Sequence, residues 1–369
     1  MAGDTIHRLR AEALRIPFTV AFRHASAERS ETASLYVEAV SRFGLRGHGE
    51  SCPRSYVTAE TVEGARAFAA VHAPSLCEQI VDVASIEAWM SAHAREVDEN
   101  PAAWCAIELA VLDVLARGAG QSVDGLLSRP SLQGRFQYSA VLGDASASVF
   151  RATAERYYHQ GFRDFKVKLS GDPERDRDKI AVLRPYAGIR VRADANNLWE
   201  DADEALTFLR ALDYPLFAVE EPIRPNQYVE LARLARALTC KMILDESFLR
   251  ASQLDELRGA TESFVINVRV SKMGGLLRSL RVVEAARAAG LGLIVGAQVG
   301  ETSLLTRAAL TVAAAAGDAL VAQEGAFGTY LLARDICEPV LMFGAGGVLD
   351  AGGCSSLRDA GWGLDVSLD

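Results

Sequence analysis

Five ionisable residues, Lys168, Asp194, Glu220, Asp245 and Lys272, follow one another at intervals of 26, 26, 25 and 27 residues. Each closes a short apolar run: "FKVKL", "IRVRADA", "FAVEEP", "KMILDES" and "FVINVRVSK". Amphipathic stretches follow these runs at 173–185, 201–212, 226–238, 250–258 and 275–289, and a sixth run, "LGLIVGA", precedes the alanine-rich 303–316. Strand then helix, repeated, is the pattern of parallel βαβ units. An open doubly wound sheet and a closed barrel both satisfy it. The polar residues decide, because ionisable groups at equivalent ends of successive strands converge only when the strands close around an axis. A TIM-type barrel, with its chemistry at the C-terminal strand ends, is therefore expected.

The segment before the barrel has a different texture. "ASLYVEAVSRFGLRGHGES" (33–51) combines β-branched and aromatic residues with glycine-punctuated turns and predicts antiparallel strands. From Thr58 helical periodicity takes over. "PAAWCAIELAVLDVLARGAG" (101–120) opens on a proline suited to a first helical turn and closes on glycine. Its Ala102, Cys105, Ala106, Leu109, Ala110 and Leu112 form an apolar stripe. This is an α+β lobe, over about 1–130.

The net charge of -9, with no basic cluster, argues against a nucleic-acid or anionic-membrane partner. No apolar run is long enough to cross a bilayer. The opening "MAGDTIHRLRAEALRIPF" lacks the apolar core of a signal peptide, so a cytoplasmic location is expected. The six cysteines show no CxxC and read as reduced thiols.

Successive strand residues alternate faces, so Lys166 and Lys168 point one way while Phe165, Val167 and Leu169 point the other. Taken alone, the two lysines would be the wet face of an edge strand. In a barrel covered by helices the apolar set faces outward, and both lysines face the mouth. A lone inward ammonium costs several kcal/mol unless paired. Asp194, Glu220 and Asp245 on the next three strands supply the pairing. Three carboxylates in one cavity repel each other unless a cation joins them. Hard oxygen donors, without histidine or thiolate, favour Mg²⁺. Lys168 and Lys272, on the second and sixth strands, then face each other across the metal. One is placed to take a proton from the carbon beside a metal-bound carboxylate, giving an ene-diolate, while Lys166 stays cationic.

"KVK", "ADANN", "VEEP", "LDES" and "VSKMGG", in this order, resemble the muconate-lactonizing branch of the enolase superfamily. "CAIELAVLDVLARGAGQSVDGLL" resembles the helix joining that family's cap to its barrel, and "GWGLDVSLD" resembles its returning C-terminal strand. The resemblance implies a modified (β/α)7β barrel over 131–345 and an α+β cap over 1–130 completed by 346–369. It implies Lys168 and Lys272 as the acid–base pair, Lys166 beside them, and Asp194, Glu220 and Asp245 as Mg²⁺ ligands. No histidine lies beyond His159, which sets the chain apart from the mandelate-racemase branch. Dipeptide epimerases of the family carry Asp-x-Asp at the eighth strand. Here Gly325 and Phe327 stand at those positions, with Glu324 adjacent.

The activity implied is a racemase or epimerase acting α to the carboxylate of a small molecule, such as an N-substituted amino acid. The alternative is β-elimination, as in a dehydratase or o-succinylbenzoate synthase, or cycloisomerisation, through the same ene-diolate. A homo-oligomer is expected. Candidate substrate contacts are His24 and Tyr56 in the cap, with His24 placed on a loop between its first two strands. In the barrel they are Asn196, Gln298, Glu301, Glu324 and Phe327, where Asn196 reads equally well as a helix cap.

Overall fold

The computed structural model describes residues 5–24 and 27–368, with the side chains of 20–29 outside that description. Strands β1 (Ile6–Leu14), β4 (Ser34–Ser41) and β5 (Arg46–Ser51) form an antiparallel sheet in the order β1–β4–β5. β2 (Pro17–His24) and β3 (Ala27–Glu31) pair as a separate ribbon, where the sequence had suggested a loop carrying His24. Helices α1 (Val62–Gln79), α2 (Val83–Ala92), α3 (Ala94–Glu99) and α4 (Pro101–Gly118) complete the lobe. α4 is buried on nearly every face and lies directly on β5. Gly49 makes that approach possible, since a Cβ there would collide with the Ala106 carbonyl.

After the short α5 (Val123–Leu126) and β6 (Arg135–Gln137), eight parallel strands run in sequence order: β7 (Ala140–Leu142), β8 (Asp164–Lys168), β9 (Arg190–Asp194), β10 (Ala218–Glu220), β11 (Lys241–Leu244), β12 (Phe264–Val268), β13 (Gly292–Val295) and β14 (Leu320–Gln323). Ser139 N donates to Gln323 O at 2.8 Å and brings the two ends of the sheet together. The helices that follow the strands are α6 (Ala147–His159), α7 (Pro173–Leu183), α8 (Ala202–Ala211), α9 (Tyr228–Leu238), the one-turn α10 (Val270–Met273), α11 (Leu276–Ala288) and α12 (Ser303–Ala316). The expected helix at 250–258 is instead a 3₁₀ turn, Ala251–Leu257. No helix among the described residues is long and apolar enough to cross a membrane.

Strand alternation divides the core in two. Phe165, Val167, Val191 and Val219 face the helices, while Ala218, Ile243, Val265, Ile294 and Ala322 form a separate apolar cluster within the barrel. Lys272 was read as the end of the sixth strand. β12 stops at Val268, and Lys272 lies in α10, which is closed by Gly274 and Gly275 in left-handed conformations.

The C-terminal segment ties back to the cap: Trp362 N donates to Asp113 on α4, and the Trp362 indole donates to the His48 carbonyl on β5. Cap carboxylates also hold barrel helices by their N-termini, where backbone N–H groups lack partners within the helix. Glu108 accepts from Leu277 N at 3.0 Å, and Glu50 accepts from Thr302 N and, at 2.6 Å, from Thr302 Oγ1. Burial pushes Glu50 up to about 8, against the pull of the Thr302 hydrogen bonds.

That shift has a stability consequence. A carboxyl whose folded-state pKa is raised contributes stability below its unfolded pKa and loses it as pH rises through the folded value. Thermal unfolding midpoints measured from about pH 5 to about pH 8 should therefore fall less in Glu50→Gln than in the wild type. Equal slopes would contradict this account of the cap–barrel seam.

Candidate active site

Lys168, Asp194 and Glu220 form one transverse row, since Lys168 is in register with Asp194 and Asp194 with Glu220 across β8, β9 and β10. Asp245 follows one residue beyond the end of β11. The regular spacing has a simple structural origin: one strand–helix unit per step brings each residue to the same end of the barrel.

Lys166 Nζ lies 2.9 Å from Asp194 Oδ2, 2.7 Å from Glu220 Oε2 and 3.1 Å from Glu324 Oε2. Burial alone would lower its pKa, but the three carboxylates outweigh burial and hold the proton more firmly than usual. Lys168 Nζ donates to Asp194 Oδ2 at 2.6 Å and to Asn196 Oδ1 at 2.7 Å. Asp194 is likewise pulled below the usual carboxylate range, because Lys166 and Lys168 overcome the effect of burial. Glu220 is pushed up to about 7 by burial and by the Asp194 charge.

Glu220 and Asp245 share a further cation that the sequence reading passed over. Arg269 NH2 contacts Asp245 Oδ2 and lies 3.8 Å from Glu220 Oε1. Asn267 Nδ2 donates to Glu220 Oε1 at 3.1 Å, so its side chain points into the barrel. Arg269, two residues on, points the same way. That parity is present in "NVR", where Asn267 and Arg269 flank the outward Val268.

Lys272 is fully buried, with Nζ donating to the Asp245 carbonyl at 2.8 Å, to Asp245 Oδ1 at 2.8 Å and to the Asn267 carbonyl at 2.7 Å. Burial lowers its pKa, partly opposed by Asp245. Its three donor positions are thus occupied by groups at the ends of β11 and β12. Lys272→Met should cost about 3 kcal/mol, at the low end for breaking a buried ion pair because Asp245 keeps Arg269. Urea unfolding checks this, and an unchanged midpoint would contradict a structural role.

A cavity of about 740 Å³ opens over these strand ends. Lys166, Lys168, Asn196 and Arg269 line it, together with Gln298, Glu301 and Glu324 from the seventh and eighth strand ends. Tyr56 enters from the cap, and Phe327 joins Tyr157, Tyr330 and Phe343 in an aromatic extension. The lining residues do not include Lys272, and the side chain of His24 lies outside the described residues. Asp194, Glu220 and Asp245 lie just beneath the lining, each at most 1 % exposed. Glu324 also pairs with Arg192 at 2.8 Å, while Glu301 accepts from Gln298 N at 2.6 Å and burial pushes it up to about 7. Glu246 also lines the cavity. Glu221, next after Glu220, turns away and accepts from Asp245 N and Ser247 N.

The donor chemistry suits a hard divalent cation: three carboxylates on consecutive strand ends, with Glu220 Oε2 lacking a hydrogen-bond partner although it lies beside the Lys166 ammonium. Lys166, Lys168 and Arg269 now balance these charges, and no three acidic, histidine or cysteine side chains among the described residues form a ready-made cage.

Residues 5–128 match the model of the mandelate racemase / muconate lactonizing enzyme N-terminal domain, and residues 149–369 match the enolase C-terminal domain-like model. The chain is 29 % identical over 315 residues to the hydrophobic dipeptide epimerase of Citrifermentans bemidjiense, covering 81 % of this chain and 83 % of that one. It is 29 % identical over 280 residues to the o-succinylbenzoate synthase of Geobacillus stearothermophilus, covering 73 % and 70 %. Its fold superposes on the muconate lactonizing enzyme of Pseudomonas fluorescens with a TM-score of 0.87 at 24 % identity, over 99 % of this chain and 97 % of that one.

Proposed function

Because the chain belongs to the mandelate racemase / muconate lactonizing enzyme family of the enolase superfamily, we propose that it removes the proton α to the carboxylate of a small organic acid in a Mg²⁺-dependent reaction. One observation carries this reading: Lys168, at the cavity wall, stands in register with Asp194 and Glu220, with Asp245 on the next strand. Asp194, Glu220 and Asp245 would hold the ion. Bound there, Mg²⁺ supplies positive charge that makes the C–H bond beside a substrate carboxylate more acidic.

The chain's own groups do the rest. In its neutral form Lys168 Nζ takes the proton through its lone pair as the C–H bond breaks and becomes the ammonium, while the electron pair of that bond moves toward the carboxylate. Lys166, held cationic by three carboxylates, stabilises the charge that develops there. Asn196 accepts from Lys168 and orients its amine. Glu324 holds Lys166 from the eighth strand, where it also meets Arg192. The aromatic extension around Phe327 accommodates an apolar arm of the substrate.

The epimerase relative supports an isomerase acting on an N-substituted amino acid or dipeptide. A second reading, elimination or ring closure, is favoured by a specific observation. Isomerisation needs a proton donor on the opposite face, and the cavity wall there presents Arg269 rather than Lys272. The test is turnover of a panel of N-acyl amino acids, dipeptides and β-hydroxy acids, with Mg²⁺ and after EDTA treatment. An inverted α-centre supports the isomerase, and a lost β-substituent supports elimination. Turnover that survives EDTA would contradict the proposal.

A further inference from the structure

The sheet order places β12 four strands from β8, on the opposite side of the eight-stranded ring. Arg269 therefore stands where a group facing Lys168 must stand. Its NH2 edge is spent on Asp245 and Glu220, but Nε is buried without a hydrogen-bond partner while the side chain lines the cavity. A guanidinium offers five donors in a fixed fork, so Nε and NH1 remain beyond the NH2 contacts, and it carries no lone pair for accepting a proton. In the same cavity lining, Gln298 Oε1 and Glu246 Oε2 are buried acceptors without hydrogen-bond partners.

From this arrangement we infer that the site is built for a dianionic acid, with Arg269 holding the substrate's second anionic group on the wall opposite Lys168. The inference rests on the reading that the first carboxylate lies beside Asp194, Glu220 and Asp245. The substrate class is a dicarboxylate, or a carboxylate with an anionic substituent, carrying an N–H or O–H for Gln298 and Glu246. Arg269 recognises and positions the substrate and itself accepts no proton.

Isothermal titration of the Mg²⁺-loaded full-length protein with malonate and with acetate tests this. Malonate should bind the wild type more tightly than acetate by about 10- to 100-fold, the range for a hydrogen bond to a charged group. Arg269→Met should abolish most of that preference, read as the malonate-to-acetate ratio within the variant so that any change in acetate affinity from losing the Asp245 contact cancels. Arg269→Lys, which keeps the charge without the fork, should retain part of it. Undetectable malonate binding, equal affinities in the wild type, or a preference that survives Arg269→Met would overturn the proposal. Acetate binding that does not depend on Mg²⁺ would instead overturn the reading of the metal site, and the malonate-to-acetate ratio would still report on Arg269.

Discussion

Lys168→Ala is expected to lower kcat by about 10²- to 10⁴-fold, the usual contribution of a positioned general base, while Mg²⁺ affinity stays within about threefold of the wild type. Lys168 is the lysine at a strand end that both lines the cavity and stands in register with two of the carboxylates. Its removal deletes the proposed proton acceptor and leaves Asp194 paired with Lys166, so the acidic cluster keeps a neutralising cation. The effect should therefore fall on kcat more than on KM. Lys272→Met supplies the contrast, with a loss of stability as its main consequence. If Lys272→Met removed the chemical step without loss of stability while Lys168→Ala left it intact, the assignment of the base would be reversed.

Glu220→Gln should weaken Mg²⁺ binding by more than about 100-fold, beyond the effect typical of groups that merely orient ligands, and should lower turnover with it. Glu220 sits between the other two carboxylates and meets Lys166, Asn267 and Arg269. Glutamine preserves the side-chain shape and the acceptor for Asn267 but removes the charge. The wild-type site also has a definite pH signature. Burial and the Asp194 charge hold Glu220 up to about 7, so the metal must displace a proton below that pH. Mg²⁺ affinity should rise with pH through about 7 and then level off, and the slope should be lost in Glu220→Gln. Mg²⁺ affinity unchanged in the variant, measured by titration calorimetry, would remove Glu220 from the ligand set.

The barrel and the position of most candidate site residues were legible because two simple periods are superimposed in the chain. Alternation along a strand put Lys166 and Lys168 on one face, and the repeat of the strand–helix unit put Asp194, Glu220 and Asp245 beside them. Where the backbone leaves those periods, reading failed. The chain leaves β12 after Val268 and coils into α10, so Lys272 lies beyond the strand alternation while Arg269, next after Val268, keeps the inward direction. Glu221 has a positive φ of 39° and turns away from the cavity to hold Asp245 N and Ser247 N. Its neighbour Glu220 keeps the strand's inward direction. The second half of the β2–β3 ribbon was read as part of a loop because β3, "AERSE", is polar and carries a weak strand signal. The ion pair between Glu324 and Arg192 joins strands far apart in the chain, and no local pattern announces it.

The most direct test of the account is deuterium washing into the α-carbon of a turned-over acid in D₂O, followed by NMR with the Mg²⁺-loaded enzyme. Exchange should require both the metal and Lys168, vanishing in EDTA and in Lys168→Ala while persisting in Lys272→Met protein that remains folded. Exchange that continues at the wild-type rate in Lys168→Ala would contradict the claim that this amine takes the proton.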